Sequence, residues 1–257
     1  MSRFAHLEFG GAGENTQVPG EVVSDETRLL GEADTLFRGG YFEQALRRFG
    51  RVLESNPKSA PAWLGQVRML IELGEFTEAT LWADKALEQL PNQPELLAAK
   101  GVALARAGDT DAALAFSDAA VGEQGDTAYI WLARGDVLLA RSEKRADFCF
   151  AKALGAAAGD WLWAWLASRA HLFYRRFALA LKLVRQALAL DPGAAVIWLQ
   201  LGRCQLALGL ADDAHQSLTQ AQQLDPACPE SLAVREAFRD TGLARRLTGW
   251  WRRWWHA

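Results

Sequence analysis

AVIWLQLGRCQLALGLADDAHQSLTQAQQLDPAC, residues 195–228, holds Trp198 near its start, small residues at Gly202, Gly209, Ala214 and Ala221, and Pro226 near its end. The same residue types recur upstream at a fixed interval. Ala45, Ala79 and Ala113 are 34 apart, Ala146 follows 33 later, and Ala180 and Ala214 follow at 34 each. Val52, Ala86, Ala120, Ala153, Ala187 and Ala221 form a second series with the same single shortfall. Trp63 and Trp131 are 68 apart and Trp131 and Trp198 are 67 apart, so one residue is missing between Trp131 and Ala146. That places the deletion in a turn, near Ser142-Glu143-Lys144, where loss of a residue leaves both flanking helices in phase.

Unit ends fall at Pro57, Pro91, Gly125, Gly159, Pro192 and Pro226. Proline disfavours helix at the residue before it and stops the second helix of a unit. Turns inside the units fall at Gly39-Gly40, Gly74, Gly108, Ser142, Arg175-Arg176 and Gly209. Glycine suits a helix end that needs a left-handed residue. The units are therefore 26–59, 60–93, 94–127, 128–160, 161–194 and 195–228, with helix expected from Asp25-Glu26, where acidic residues meet the positive end of the helix dipole.

This spacing resembles the tetratricopeptide repeat, a helix–turn–helix unit with Trp near its start, small residues where its helices cross and Pro at its end. The resemblance covers residues 26–228. It implies an all-α fold: a right-handed helix–turn–helix solenoid of six repeats. One pair of helices has too little apolar area to stand alone, so stacking pairs must bury a continuous core. Gly101, Gly135, Ser168 and Gly202 should let paired helices approach, and Phe49, Phe116 and Phe150 should fill the space between them. Trp63, Trp131 and Trp198 read as structural. Around the array, 1–24 reads as a flexible lead carrying Phe4, Leu7 and Phe9. Residues 229–242, with Leu232, Ala233 and Phe238, read as a capping helix, and 243–257 as a tail.

The resemblance also implies a groove. First helices of successive units line a concave surface that holds an extended peptide or a partner helix. Projecting that pattern gives Asp34, Phe37, Arg38, Arg68, Glu72, Glu95, Arg106, Asp136, Trp165, Arg169, Phe173, Leu199 and Arg203. The first four units mix signs. Units five and six offer Trp165, Arg169, Phe173, Leu199 and Arg203 with no acid among them, an aromatic and arginine composition common at binding hot spots. It suits a peptide with an apolar anchor and a carboxylate. The competing reading is a solvated face whose arginines pair with neighbouring acids. Some family members clamp a C-terminal carboxylate in their first units, but Leu30, Asp34 and Gly65 occupy the comparable places here and do not support that specificity. Unit five is the least regular, with Trp161, Trp163 and Trp165 around an Ala164 that replaces the family's Trp. Alternate residues cannot share one helix face, so at least one Trp should leave the core.

Composition narrows the function classes. The chain has 257 residues, half of them hydrophobic, and a net charge of −3, which argues against a general nucleic-acid binder. Five arginines against Asp240 give residues 239–257 a charge of +4 and leave −7 on the rest. The tail places Leu243, Leu247, Trp250 or Trp251 and Trp254 on one helical face, with Arg245, Arg246, Arg252 and Arg253 opposite. A helix of that length reaches roughly 20 Å, too short to cross a bilayer. Trp250, Trp251, Arg252, Arg253, Trp254 and Trp255 are the tail's contact residues, suited to a partner or self-contact, to a lipid interface, or to capping. Cys149, Cys204 and Cys228 have no CxxC spacing and read as reduced thiols of a cytoplasmic protein. No apolar run follows Met1–His6, so no secretory signal is expected. His6, His171, His215 and His256 are scattered and lack ligands at metal spacing, and no phosphate loop, GxSxG or HExxH is present. The leading expectation is a non-catalytic adaptor or scaffold for a protein or peptide partner, without cofactor or metal. A peripheral tether on the inner face of a membrane and a structural subunit of an assembly are the alternatives.

Overall fold

A computed structural model of the chain describes residues 19–123, 125–230 and 234. The lead cluster Phe4, Leu7 and Phe9, most of the expected cap and the whole 243–257 tail lie outside the described residues. Among those described there are twelve α-helices in six pairs: α1 (Pro19–Arg38) with α2 (Phe42–Ser55), α3 (Ala60–Leu73) with α4 (Phe76–Gln89), α5 (Pro94–Ala107) with α6 (Thr110–Gly122), α7 (Ala128–Ala140) with α8 (Ala146–Ala156), α9 (Trp161–Phe173) with α10 (Phe177–Leu190), and α11 (Ala195–Ala207) with α12 (Ala211–Leu224). The fold is an all-α solenoid. α1 starts at Pro19, ahead of the expected Asp25; proline is tolerated in a first helical turn because the N–H it lacks has no partner there.

The small-residue series sits where helices press together. All six members of the Ala45 series and all six of the Val52 series are fully buried. The first helices answer with small residues of their own. A Cβ on Gly135 would stand 2.9 Å from the Phe150 ring, and one on Gly202 2.8 Å from Leu218. Ser168 fits the same register because its Oγ donates to the Ala180 carbonyl at 2.9 Å, so its hydroxyl is satisfied inside the core. Gly65, outside that register, lies under Phe49, whose ring would be 2.4 Å from an added Cβ.

Two local devices repeat. Trp63 and Trp198 each donate Nε1–H to the carbonyl of the proline six residues earlier, Pro57 and Pro192, at 2.8 Å. The ring thus ties the start of one unit to the end of the one before. Each turn inside a helix pair carries a left-handed residue: Gly40, Gly74, Gly108 and Gly209, and, without glycine, Ser142 at φ 58° and Arg175 at φ 60°. In the fourth unit α7 ends at Ala140 and α8 begins at Ala146, the longest of these six turns.

The array curls until its first pair meets its last two. Phe37 and Phe42 pack against Trp165, with ring centres 6.2 and 6.4 Å away. Arg38 donates through both terminal nitrogens to the two carboxylate oxygens of Asp160, each at 3.0 Å. The Tyr41 hydroxyl bonds both oxygens of Asp225 at 2.9 and 2.8 Å. Gly40 is needed twice here, for its φ of 78° and because a Cβ would sit 2.9 Å from Val196.

Candidate functional site

This curl decides what the concave face can offer. Trp165 and Leu199, expected as groove anchors, are 0% and 1% exposed. Trp165 is roofed by Phe37 and Phe42, flanked edge-on by Trp161, and donates Nε1–H to the Val196 carbonyl at 3.1 Å. Leu199 belongs to a core cluster with Leu218, Ala221 and Cys228. First-unit side chains occupy the space a ligand would need over Trp165, and Leu199 is enclosed by its own cluster. Trp161 and Trp163 are the half-buried members of the Trp triplet.

Arg169, Phe173 and Arg203 do converge. They line one cavity of about 310 Å³, together with Glu72, Phe76, Arg106 and Gln200. Its apolar wall is an edge-on pair, Phe76 and Phe173, with ring centres 5.7 Å apart, and Phe173 is 44% exposed. Its polar wall is not the acid-free patch expected from the sequence. Arg169 Nε donates to Glu72 at 2.6 Å, and Nη1 of both Arg169 and Arg203 reaches Glu230 Oε2 at 3.2 Å. Neighbouring acids therefore pair with these arginines, as the competing reading held, yet the pairs are sheltered rather than solvated: the Arg169 and Glu72 side chains are 12% and 9% exposed.

The physical balance here is charge against burial. Burial works against the Glu230 carboxylate, but Arg169 and Arg203 outweigh it and hold its pKa below the ordinary carboxylate range. Burial likewise works against the Arg169 cation and is outweighed by Glu230 and Glu72. Deeper in, Arg106 pairs with Asp136 at 2.7 Å, and Tyr174 donates to the same carboxylate at 2.9 Å. Arg68 lies between the rings of Phe37 and Tyr129, 4.7 and 4.6 Å from their centres, a cation–π sandwich. Its buried Nη2 has no hydrogen-bond partner among the described residues, and Arg68 lines a space of about 30 Å³, room for roughly one water.

Glu230 was missed from the sequence because the groove projection stopped at unit six. Its register was readable: Glu95, Tyr129, Leu162, Val196 and Glu230 follow one another at 34 or 33 residues. The other groove candidates divide. Phe37 is core, Arg38 closes the curl, and Asp34 is exposed beside Arg38. The tail residues Trp250 to Trp255 lie outside the described residues. Among the described residues no group of His, Cys, Asp or Glu is placed to hold a metal ion, and no helix is long and apolar enough to cross a membrane.

The likeness to known proteins follows the same architecture. A solved tetratricopeptide-repeat protein of Thermus thermophilus superposes with a TM-score of 0.54 at 22% identity, over 70% of this chain and 99% of that one. A tetratricopeptide-repeat protein from Parabacteroides merdae gives 0.50 at 15% identity, over 80% and 84%. The Cut9–Hcn1 hetero-tetramer gives 0.50 at 15% identity, over 83% of this chain and 42% of that one. A search of curated protein sequences finds no match. The tetratricopeptide-repeat pattern itself matches residues 30–94 and 174–237, the two ends that meet across the curl. On that match, its helix pairs and its buried small-residue register, the chain belongs to the tetratricopeptide-repeat family.

Proposed function

We propose that the chain is a non-catalytic adaptor that takes a peptide segment of a partner protein in the cavity at the mouth of the concave face. The observation that carries this reading is the pairing, in one cavity of about 310 Å³, of an aromatic wall (half-buried Phe76 and exposed Phe173) with the arginines Arg169 and Arg203. An apolar anchor beside directional cationic donors is the composition of a peptide-recognition pocket. The segment that fits has an aromatic or large aliphatic side chain next to a carboxylate. Protein recognition is also the common use of the family's concave face. The three buried free cysteines suit a reducing, cytoplasmic setting.

Random-heptapeptide display tests the reading. Peptides selected on the wild-type chain should be enriched in an acidic residue within two positions of an aromatic or leucine. The same peptides should lose binding to Phe173→Asp, a position 44% exposed at the end of α9. Selection without acidic enrichment, or binding that survives in Phe173→Asp, would show that this cavity is not the site.

A further inference from the structure

Glu230 differs from the other acids of the concave face. Glu72 and Asp136 sit within the paired helices, whereas Glu230 stands with Pro229 at the start of a further helical segment, six residues beyond the end of α12. The segment from Asp225 to Glu230 is held against the first unit and the concave face by side-chain contacts. Tyr41 bonds Asp225, the Cys228 Sγ lies 3.9 Å from the Gly39 carbonyl, and Glu230 reaches Arg169 and Arg203. Glu230 and Pro229 also wall a second cavity of about 280 Å³, lined by Tyr41, Phe42, Glu72 and Leu73. Glu72 and Leu73 line both cavities, so the Glu230 carboxylate stands where the two adjoin.

The bonding around Glu230 has the form of a ligand in a site. One oxygen, Oε2, accepts from two arginines that stand one repeat apart, each at 3.2 Å. Around this mouth Arg106, Arg169 and Arg203 face Asp136, Glu72 and Glu230. Removing Glu230 takes from Arg203 the carboxylate it pairs with, at a side chain only 23% exposed. An uncompensated charge in such a place is strongly unfavourable, so Glu230 can leave readily only when another carboxylate takes its place. Planar arginine forks also select carboxylates over neutral amides.

We propose that Arg169 and Arg203 form a carboxylate-binding site that the chain's own Glu230 occupies, so that a partner's carboxylate enters by displacing Glu230 and freeing the Asp225–Glu230 segment from the concave face. This rests on the peptide-cavity reading above and adds a built-in competitor to it. Ligand entry and release of the chain's C-terminal side then become one event.

Three fluorescein-labelled hexapeptides, each with one phenylalanine, test it on the full chain. One has a glutamate beside the phenylalanine and an amidated end. The second has glutamine instead. The third has a free C-terminal carboxylate and no acidic side chain. Glu230→Gln should bind at least one carboxylate probe tenfold or more tighter than wild type, with no gain for the glutamine probe. Which probe gains tells a side-chain from a C-terminal carboxylate. In the wild-type chain, which needs no variant to fold, saturating carboxylate probe should speed hydrogen exchange of the Asp225–Glu230 amides. Equal affinity of both chains for a carboxylate probe, or exchange that is unchanged or slowed, would overturn displacement while leaving the cavity as a peptide site. Absence of binding by any probe to either chain would overturn the cavity reading and displacement together.

Discussion

The seams where the two helices of each pair cross and the concave face are built by opposite means. Along the seams, fully buried Ala45, Ala79, Ala113, Ala146, Ala180 and Ala214 bring helices together by being small. Across the concave face, Phe37, Phe42 and Trp165 pack ring on ring, and Arg38, Arg106 and Arg169 meet carboxylates. The seams repeat because each joins neighbours in sequence. The concave contacts do not repeat: Arg169 meets Glu72 across 97 residues and Tyr41 meets Asp225 across 184. A solenoid held only by neighbours unravels from its ends, since each unit is stabilised by those beside it. The cross-array contacts here give the first unit a second set of neighbours, and they fill the space where an open groove would lie.

Trp165→Ala attacks the cross-array packing most directly. Truncating a fully buried Trp costs about 3–5 kcal/mol, and here it also removes the ring that receives Phe37 and Phe42. The urea midpoint should fall accordingly while far-UV helix content in buffer persists. A loss under about 1 kcal/mol would mean that the first unit gains little from the fifth. The matching attack on the seams is overpacking. Ala113→Leu and Ala180→Leu should each cost about 1–3 kcal/mol by forcing crossed helices apart. Their costs should agree, because the two positions are equivalent by register; a several-fold difference would show that the seams are not built alike.

The same contrast explains what the sequence disclosed. The seams were legible because interval and residue size are both local properties: subtraction located the buried alanines, all six turns and the shortened fourth unit. Arg169 and Arg203 were legible as neighbours because they stand 34 residues apart in one register. Their acids were not. Glu72 was recognised as facing the groove, but its meeting with Arg169 depends on how tightly six units curl, which is a sum of small angles at every seam and has no signature at one residue. Trp165 was misread for the same reason. Its register does place it on the concave side, and only the curl decides that Phe37 and Phe42 cover it there.

Tyr41 sharpens the comparison at the junction of first and last units. Burial, then the Asp225 carboxylate, pushes its pKa from an ordinary value near 10 up to about 12. The neutral phenol is the form the fold favours, so its contribution is complete below pH ~10 and is lost as pH rises through about 12. Tyr41→Phe removes the hydroxyl's two contacts and should cost about 1 kcal/mol at pH 8. Tyr129 and Tyr174 are raised as well. The gap between wild type and variant therefore carries the information: it should narrow between pH 8 and pH 12 in urea titrations. A gap that stays constant would mean that the Asp225 contact adds nothing to closure.

The smallest effect belongs to Arg38 and Asp160, and the reason is exposure rather than geometry. Their two parallel 3.0 Å bonds are well formed, but the side chains are 34% and 32% exposed, so water screens the pair. Arg38 holds the Asp160 pKa below its ordinary value, against the opposing effect of burial. A depressed carboxyl contributes stability above the unfolded pKa near 4, and that contribution disappears as pH falls through the lower folded value. Arg38→Gln should therefore lower stability at pH 7 by about 1 kcal/mol or less and lose its difference from wild type below pH ~3. The Arg169 group, with the same ion types in a sheltered setting, should not behave so mildly. Arg169→Gln leaves Glu72 and Glu230 facing one another without a shared cation, and removing one partner of a buried pair costs about 3–5 kcal/mol. If the two substitutions cost the same, shelter from water is not what distinguishes the mouth of the concave face from its rim, and Arg169 is no better placed than Arg38 to hold a partner's carboxylate.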